Sequence, residues 1–197
     1  MTTEDILQIR ISLVDIVPPI WRRIQIPSTY SFWDLHVAIQ DAMGWLDYHL
    51  HAFRIPDLHR GTLVEIGIPD DEYEAGQQTL PGWEIGVVDY LHYRSPVAVY
   101  EYDFGDGWVH VVQLEARLPA RKGTSYPNCL AGERKCPPED CGGTGGYEEF
   151  LEAIADSRHP EHKAMLEWIG GSFDAEDFNP SAVEFSDPRK RWNQAFE

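Results

Sequence analysis

The sequence predicts an α+β fold: a largely antiparallel sheet with helices packed on one face and a helical C-terminal part. Three observations predict it. Apolar and polar residues alternate with period two near the N-terminus and again across 97–118. A capped segment with helical spacing lies between those runs, at 31–44. Helical stretches, two of them opened by proline, fill the C-terminal quarter.

The elements follow in order. Leu7, Ile9, Ile11 and Leu13 alternate with Gln8, Arg10 and Ser12, the pattern of a strand with one buried face. Pro18-Pro19 breaks it, and Ile20, Ile24 and Ile26 form a second strand that ends at Pro27 and pairs antiparallel with the first. Ser31 is placed as an N-cap with Asp34 in capping-box position, Phe32, Leu35, Ile39 and Met43 follow at helical spacing, and Gly44 stops the helix. Strands are expected over His49–Ile55 and Gly61–Ile68, a mobile acidic loop over Pro69–Gly82, and a short helix at Val87–Leu91.

Asp106-Gly107 between two alternating runs predicts a hairpin. A two-residue turn sets Asp103 opposite His110, whereas a three-residue turn sets Tyr102 opposite His110; the first register is preferred. Trp108, His110, Val112 and Leu114 share one strand face in either case. Residues 121–146 are rich in Gly, Pro and Cys, and three helices follow: Tyr147–Asp156, Pro160–Ile169, and one opened by Asp187-Pro188. No internal repeat or long polar linker divides the chain, so residues 1–197 are read as one domain.

Seven Trp, nine Tyr and eight Phe supply enough apolar surface for a core without a disulfide or a structural metal. Thirty-three acidic residues against sixteen basic ones give a formal charge of −17. A field of that sign disfavours broad nucleic-acid binding and anionic membranes, which leaves a protein or a small ligand as the expected partner. The N-terminus has no positive region followed by an apolar core, and no stretch has the length to span a bilayer. The expected compartment is the cytoplasm, where Cys129, Cys136 and Cys141 are thiols or metal ligands rather than disulfide partners.

Three segments can carry chemistry. His49 and His51 stand two apart on an expected strand, a spacing at which two imidazoles reach one metal ion; the plainer alternative is that they pack as partly buried residues with Trp45 and Phe53. Asp103 opposite His110 makes a candidate catalytic pair, the carboxylate orienting a general base, and Asp106 can join them around a divalent cation. The same residues can be no more than a held turn and a satisfied polar pair. The cysteines, with six and four residues between them, lack the paired knuckle spacing of a zinc site and would need His159 or His162 to complete one. The glycine run 142–146 resembles an anion-binding nest, but flanking acids and the absence of a following Lys favour a tight loop–helix junction.

Four motifs occur in order: Pro19-Ile20-Trp21-Arg22-Arg23; Trp45 with His49-Leu50-His51; Tyr102-Asp103-Phe104-Gly105-Asp106 with Trp108 and His110; and Cys136-Pro137-Pro138-Glu139-Asp140 with Gly142-Gly143 and Gly146-Tyr147. Together they resemble the plasmid pRiA4b ORF-3-like family over roughly residues 5–180. The resemblance implies an α+β fold and an association with plasmids or mobile elements, and brings no catalytic residue with it. Cys141 stands where the family pattern has an aliphatic residue, which weakens a three-cysteine site. No catalytic serine motif of a resolvase is present.

Two functions follow. The first is a cytosolic accessory or interaction domain without a complete catalytic constellation. The alternative is a metal-dependent hydrolase or nuclease in which His49, His51, Asp103, Asp106 and His110 converge on one cleft, and for which the Trp45–His51 and Tyr102–His110 segments must meet.

Overall fold

The alternation at Leu7–Leu13 is realised as β1 (Asp5–Leu13), whose inward isoleucines are fully buried. A computed structural model describes residues 5–58, 61–69 and 79–196. β2 (Trp21–Pro27) runs back along β1, pairing Ile9 with Ile24 and Leu7 with Ile26. In α1 (Phe32–Met43) both halves of the capping box form: the Asp34 amide donates to Ser31 Oγ, and the Ser31 amide donates to the Asp34 carboxylate. Gly44 ends the helix in the left-handed conformation, with φ 91°.

The chain continues through β3 (His51–Asp57), β4 (Thr62–Gly67), β5 (Leu80–Pro81), α2 (Val87–Tyr90), β6 (Val97–Tyr102), β7 (Trp108–Pro119) and β8 (Asn128–Glu133). One eight-stranded sheet results, in the order β5-β4-β3-β6-β7-β1-β2-β8. Among the described residues only the β4–β5 contact is parallel. Leu80–Pro81 thus falls in a strand rather than in the expected loop, while 70–78 of that loop lie outside the described residues. β8, inside the Gly/Pro/Cys-rich stretch, was not expected and pairs with β2.

One sheet face forms the core. Trp108, His110 and Val112 of β7 point into it, as the alternation predicts, with Val111 and Gln113 outward. Phe32, Leu35 and Ile39 of α1 pack on the inward residues of the sheet, and Tyr147 and Phe150 extend the cluster. Buried area of this kind, at roughly 25 cal/mol per Å2, is the main favourable contribution to folding.

The helical C-terminal part comprises α3 (Gly143–Ala155), α4 (His162–Trp168), a 3-10 turn at Pro180–Ala182 and α5 (Pro188–Phe196). α5 packs on α1 through Trp192 against Trp33, with Arg191 bound to the Asp41 carboxylate. α3 starts four residues earlier than the helical spacing indicated. A Cβ on Gly143 would lie 2.4 Å from the Asp106 carbonyl oxygen, and one on Gly146 only 1.9 Å from that of Cys141. Positions 143 and 146 therefore require glycine, because the backbone approaches too closely there for any side chain.

The hairpin register differs from both expectations. Tyr100 pairs with His110 and Tyr102 with Trp108, leaving a five-residue connection over 103–107. The cause is Asp103: its backbone is left-handed at φ 56°, and its Oδ1 accepts from the amides of Gly105 and Asp106. An aspartate capturing the amides two and three residues on builds a wider turn than Asp106-Gly107 alone.

Candidate functional site

Asp103 and His110, the proposed catalytic pair, are separated by this register. His110 is fully buried, with Nδ1 facing the carbonyls of Trp108 (3.1 Å) and Tyr100 (3.4 Å) and Trp45 edge-on to its ring. Because carbonyls only accept, Nδ1 carries the proton. Burial lowers its pKa to about 4, despite those two carbonyls, so it is a neutral core residue rather than a general base near neutrality.

A pH dependence follows. A histidine titrating near 6.5 when unfolded and near 4 when folded stabilises the native state fully above 6.5. That contribution is lost as pH falls from 6.5 to 4, and amounts to roughly 3 kcal/mol at 1.36 kcal/mol per unit. Urea titrations of the wild type should show this decline, and His110→Gln should flatten it. An unchanged slope in the variant would place the acid sensitivity elsewhere.

His49 and His51 do not share a strand face. β3 begins at His51, so His49 lies before the strand, and the Asp103 amide donates to the Leu50 carbonyl at 2.9 Å. The His51 ring goes into the core, stacked on His36 with centroids 3.5 Å apart and planes 7° from parallel. Desolvation, and secondarily His36, hold His51 well below the usual histidine range. His36, on α1, is bound to the Tyr100 hydroxyl and the Asp47 carboxylate, both at 2.8 Å. It lies outside the Phe32, Leu35, Ile39 and Met43 spacing that predicts the helix, and is fully buried.

His49 lies outside the core, in the segment between α1 and β3. Its Nε2 is 3.0 Å from Asp140 Oδ1, 3.5 Å from Asp103 Oδ2 and 4.0 Å from Glu139 Oε2. The two segments expected to share a cleft therefore meet here, through His49 and Asp103. Asp140 is close to Nε2 but not aligned to accept from a ring N–H. Nε2 is shielded from water and has no hydrogen-bond partner among the described residues.

One ligand atom each from His49, Asp103 and Asp140 lies within 4.8 Å of the others. Ligands held at about 2.0–2.2 Å on one ion sit about 3.0–3.6 Å apart, for octahedral and tetrahedral angles respectively. The separations from Nε2 to Asp140 and Asp103 fall in or at that range. Asp103 and Asp140 both have positive φ, 56° and 55°, a conformation that aspartate tolerates.

Glu139 fixes the back of the site. Its Oε1 accepts from the Leu46 amide at 2.7 Å and from the Tyr102 hydroxyl at 3.0 Å, and that hydroxyl accepts from the Tyr48 amide. Burial, reinforced by Glu139, raises the Tyr102 pKa far above the usual phenol value, so it stays protonated and donates. Glu139 and Asp140 were missed as site residues. The signal available was their place in the Cys136–Tyr147 motif directly after Pro137-Pro138.

Asp106 serves another purpose: its Oδ2 accepts from the Gly142 amide at 3.1 Å, tying the 103–107 turn to the start of α3. The favourable charge–dipole arrangement there is the protein's own, in keeping with the loop–helix junction reading. The thiols are all free. Cys129 pairs across β2–β8 and Cys136 is buried; burial raises Cys136 strongly and Cys141 to about 12. They form no metal-ligand group with one another or with His159 or His162 among the described residues.

A model of the family described as plasmid pRiA4b ORF-3-like protein matches residues 5–182. The chain belongs to that family. Uncharacterized protein y4hQ of Sinorhizobium fredii is 36% identical over 186 residues, covering 94% of this chain and 89% of y4hQ. The crystal structure of the protein of unknown function MM3350 from Methanosarcina mazei Go1 superposes with a TM-score of 0.86 at 43% identity, covering 93% of this chain and all of that one. The α+β architecture is thus shared with a solved structure of substantial sequence identity. Among the described residues, no helix is long and apolar enough to cross a membrane.

Proposed function

We propose that this pRiA4b ORF-3-like chain binds a divalent cation through His49, Asp103 and Asp140 and uses it in metal-dependent hydrolysis. The observation that carries this reading is the orphaned, water-shielded Nε2 of His49 beside three carboxylates. An imidazole nitrogen together with hard carboxylate oxygens suits Zn2+ or Mn2+. Three protein ligands leave positions for water or substrate, as catalytic rather than structural sites do, and a metal-bound water ionises near neutrality. Glu139, held by Leu46 and Tyr102, adds charge and fixes the wall behind His49. The formal charge of −17 argues against a nucleic-acid substrate, so hydrolase is preferred to nuclease.

Isothermal titration of chelator-stripped protein with Zn2+ and Mn2+ tests the reading. One site per chain is expected, with affinity lowered at least about tenfold in His49→Ala and in Asp103→Asn, and little changed in His51→Gln or Cys129→Ser. Equal binding by wild type and His49→Ala would end it.

One observation favours a second reading, the cytosolic accessory or interaction domain. Leu46, Tyr48, Leu50 and Phe104, the neighbours of the site residues, are all more than half exposed. Such an apolar rim suits a protein partner. Under this reading the metal holds the partner rather than activating water.

A further inference from the structure

We propose that a cavity of about 270 Å3 beside the start of α3 binds a small organic ammonium ion with an apolar, aromatic-sized body. Phe150 of α3 and Met165 and Trp168 of α4 form its apolar wall, and Asp140, Glu149 and Glu161 its polar rim. No Lys, Arg or His lines it. Glu149 and Glu161 enter no ion pair among the described residues, so no described side chain neutralises them there.

The combination selects the ligand. Carboxylates around an apolar bed repel anions and offer a neutral ligand at most a hydrogen bond, whereas a cation also gains charge pairing. Aromatic faces attract cations through the ring quadrupole, and ammonium ions are the ligands that aromatic and acidic side chains bind together. Trp168 stands edge-on to Phe150 at 5.6 Å and is 47% exposed, which leaves its indole accessible to a ligand. A cavity of about 270 Å3, close to the roughly 300 Å3 lower end of small-molecule pockets, suits one ring with a short chain. The 2-phenylethylammonium ion has that size.

This site adjoins the proposed metal centre at Asp140 but does not depend on it, and the test is made with metal removed. Full-length protein in EDTA is titrated with 2-phenylethylammonium, 2-phenylethanol and 3-phenylpropionate while the indole N–H resonance of Trp168 is followed by NMR. The ammonium should shift it saturably and bind about tenfold more tightly than the alcohol, the scale of one hydrogen bond to a charged group. The Glu149→Gln, Glu161→Gln double variant should keep the wild-type spectrum and lose that preference. Equal binding of ammonium and alcohol, binding of the propionate as tightly, or an undiminished preference in the double variant would each overturn the proposal. Tighter binding of a blocked lysine than of the aromatic amine would overturn the assignment to a free small molecule.

Discussion

Trp108→Ala is expected to destabilise the protein by about 3–5 kcal/mol, the range for a large aromatic truncated in a packed core. Trp108 is fully buried at the last pair of the β6–β7 hairpin, opposite Tyr102. Its ring lies 5.9 Å from that of Trp45, which in turn contacts Tyr102 and His110. Removing it opens a cavity where α1's exit, the hairpin and the wall behind His49 converge. The urea midpoint should fall sharply, and Trp108→Phe should recover part of the loss. A cost below about 1.5 kcal/mol would mean that the neighbouring rings collapse into the gap.

Arg22→Leu is expected to cost about 2–4 kcal/mol, for a different reason. Arg22 is 1% exposed yet has no carboxylate partner among the described residues. Its Nε donates to the Ala42 carbonyl in the last turn of α1, and Nη1 donates to the carbonyls of Trp21 and Glu133. Phe178 covers the guanidinium at 3.7 Å. One cation thus joins the negative end of α1 to the β2–β8 edge. Burial lowers its pKa without neutralising it, since arginine starts so high. Leucine removes the buried charge but orphans three carbonyls, each costing about 1–3 kcal/mol, and the relief from burying a charge offsets part of that. Arg22→Lys should rescue little, because an ammonium lacks the planar fork. Wild-type stability in Arg22→Leu would show that water or backbone movement satisfies those carbonyls.

Arg22 also marks the boundary of what the sequence makes legible. Its neighbour Arg23 pairs with Glu115 on the outward face, so one dipeptide carries a buried and a solvated cation. The alternation of β2 distinguishes their faces but not the carbonyls that Arg22 meets. Signals whose physics is local are legible in the sequence. The Ser31–Asp34 box, the Gly44 stop and the period-two runs of β1, β2 and β7 all form as their spacing predicts.

The candidate site was half legible. His49 and Asp103 were singled out by residue type within short motifs. Asp140 reaches them from across the chain, through contacts that no periodicity encodes: the Trp45 indole donates to the Pro137 carbonyl, and the Leu46 amide to Glu139. The same long-range packing removed His51 and His110. Both were chosen for their spacing, and both are placed by the core, His51 on His36 and His110 beneath Trp45. Asp106 was misread because its partner, the Gly142 amide, lies 36 residues away.

Anomalous diffraction from crystals grown with Mn2+ or Zn2+ tests the metal centre most directly. The account predicts one peak within about 2.0–2.3 Å of His49 Nε2, Asp103 Oδ2 and Asp140 Oδ1 together. No peak at that position, or a peak on the cysteines instead, would contradict it.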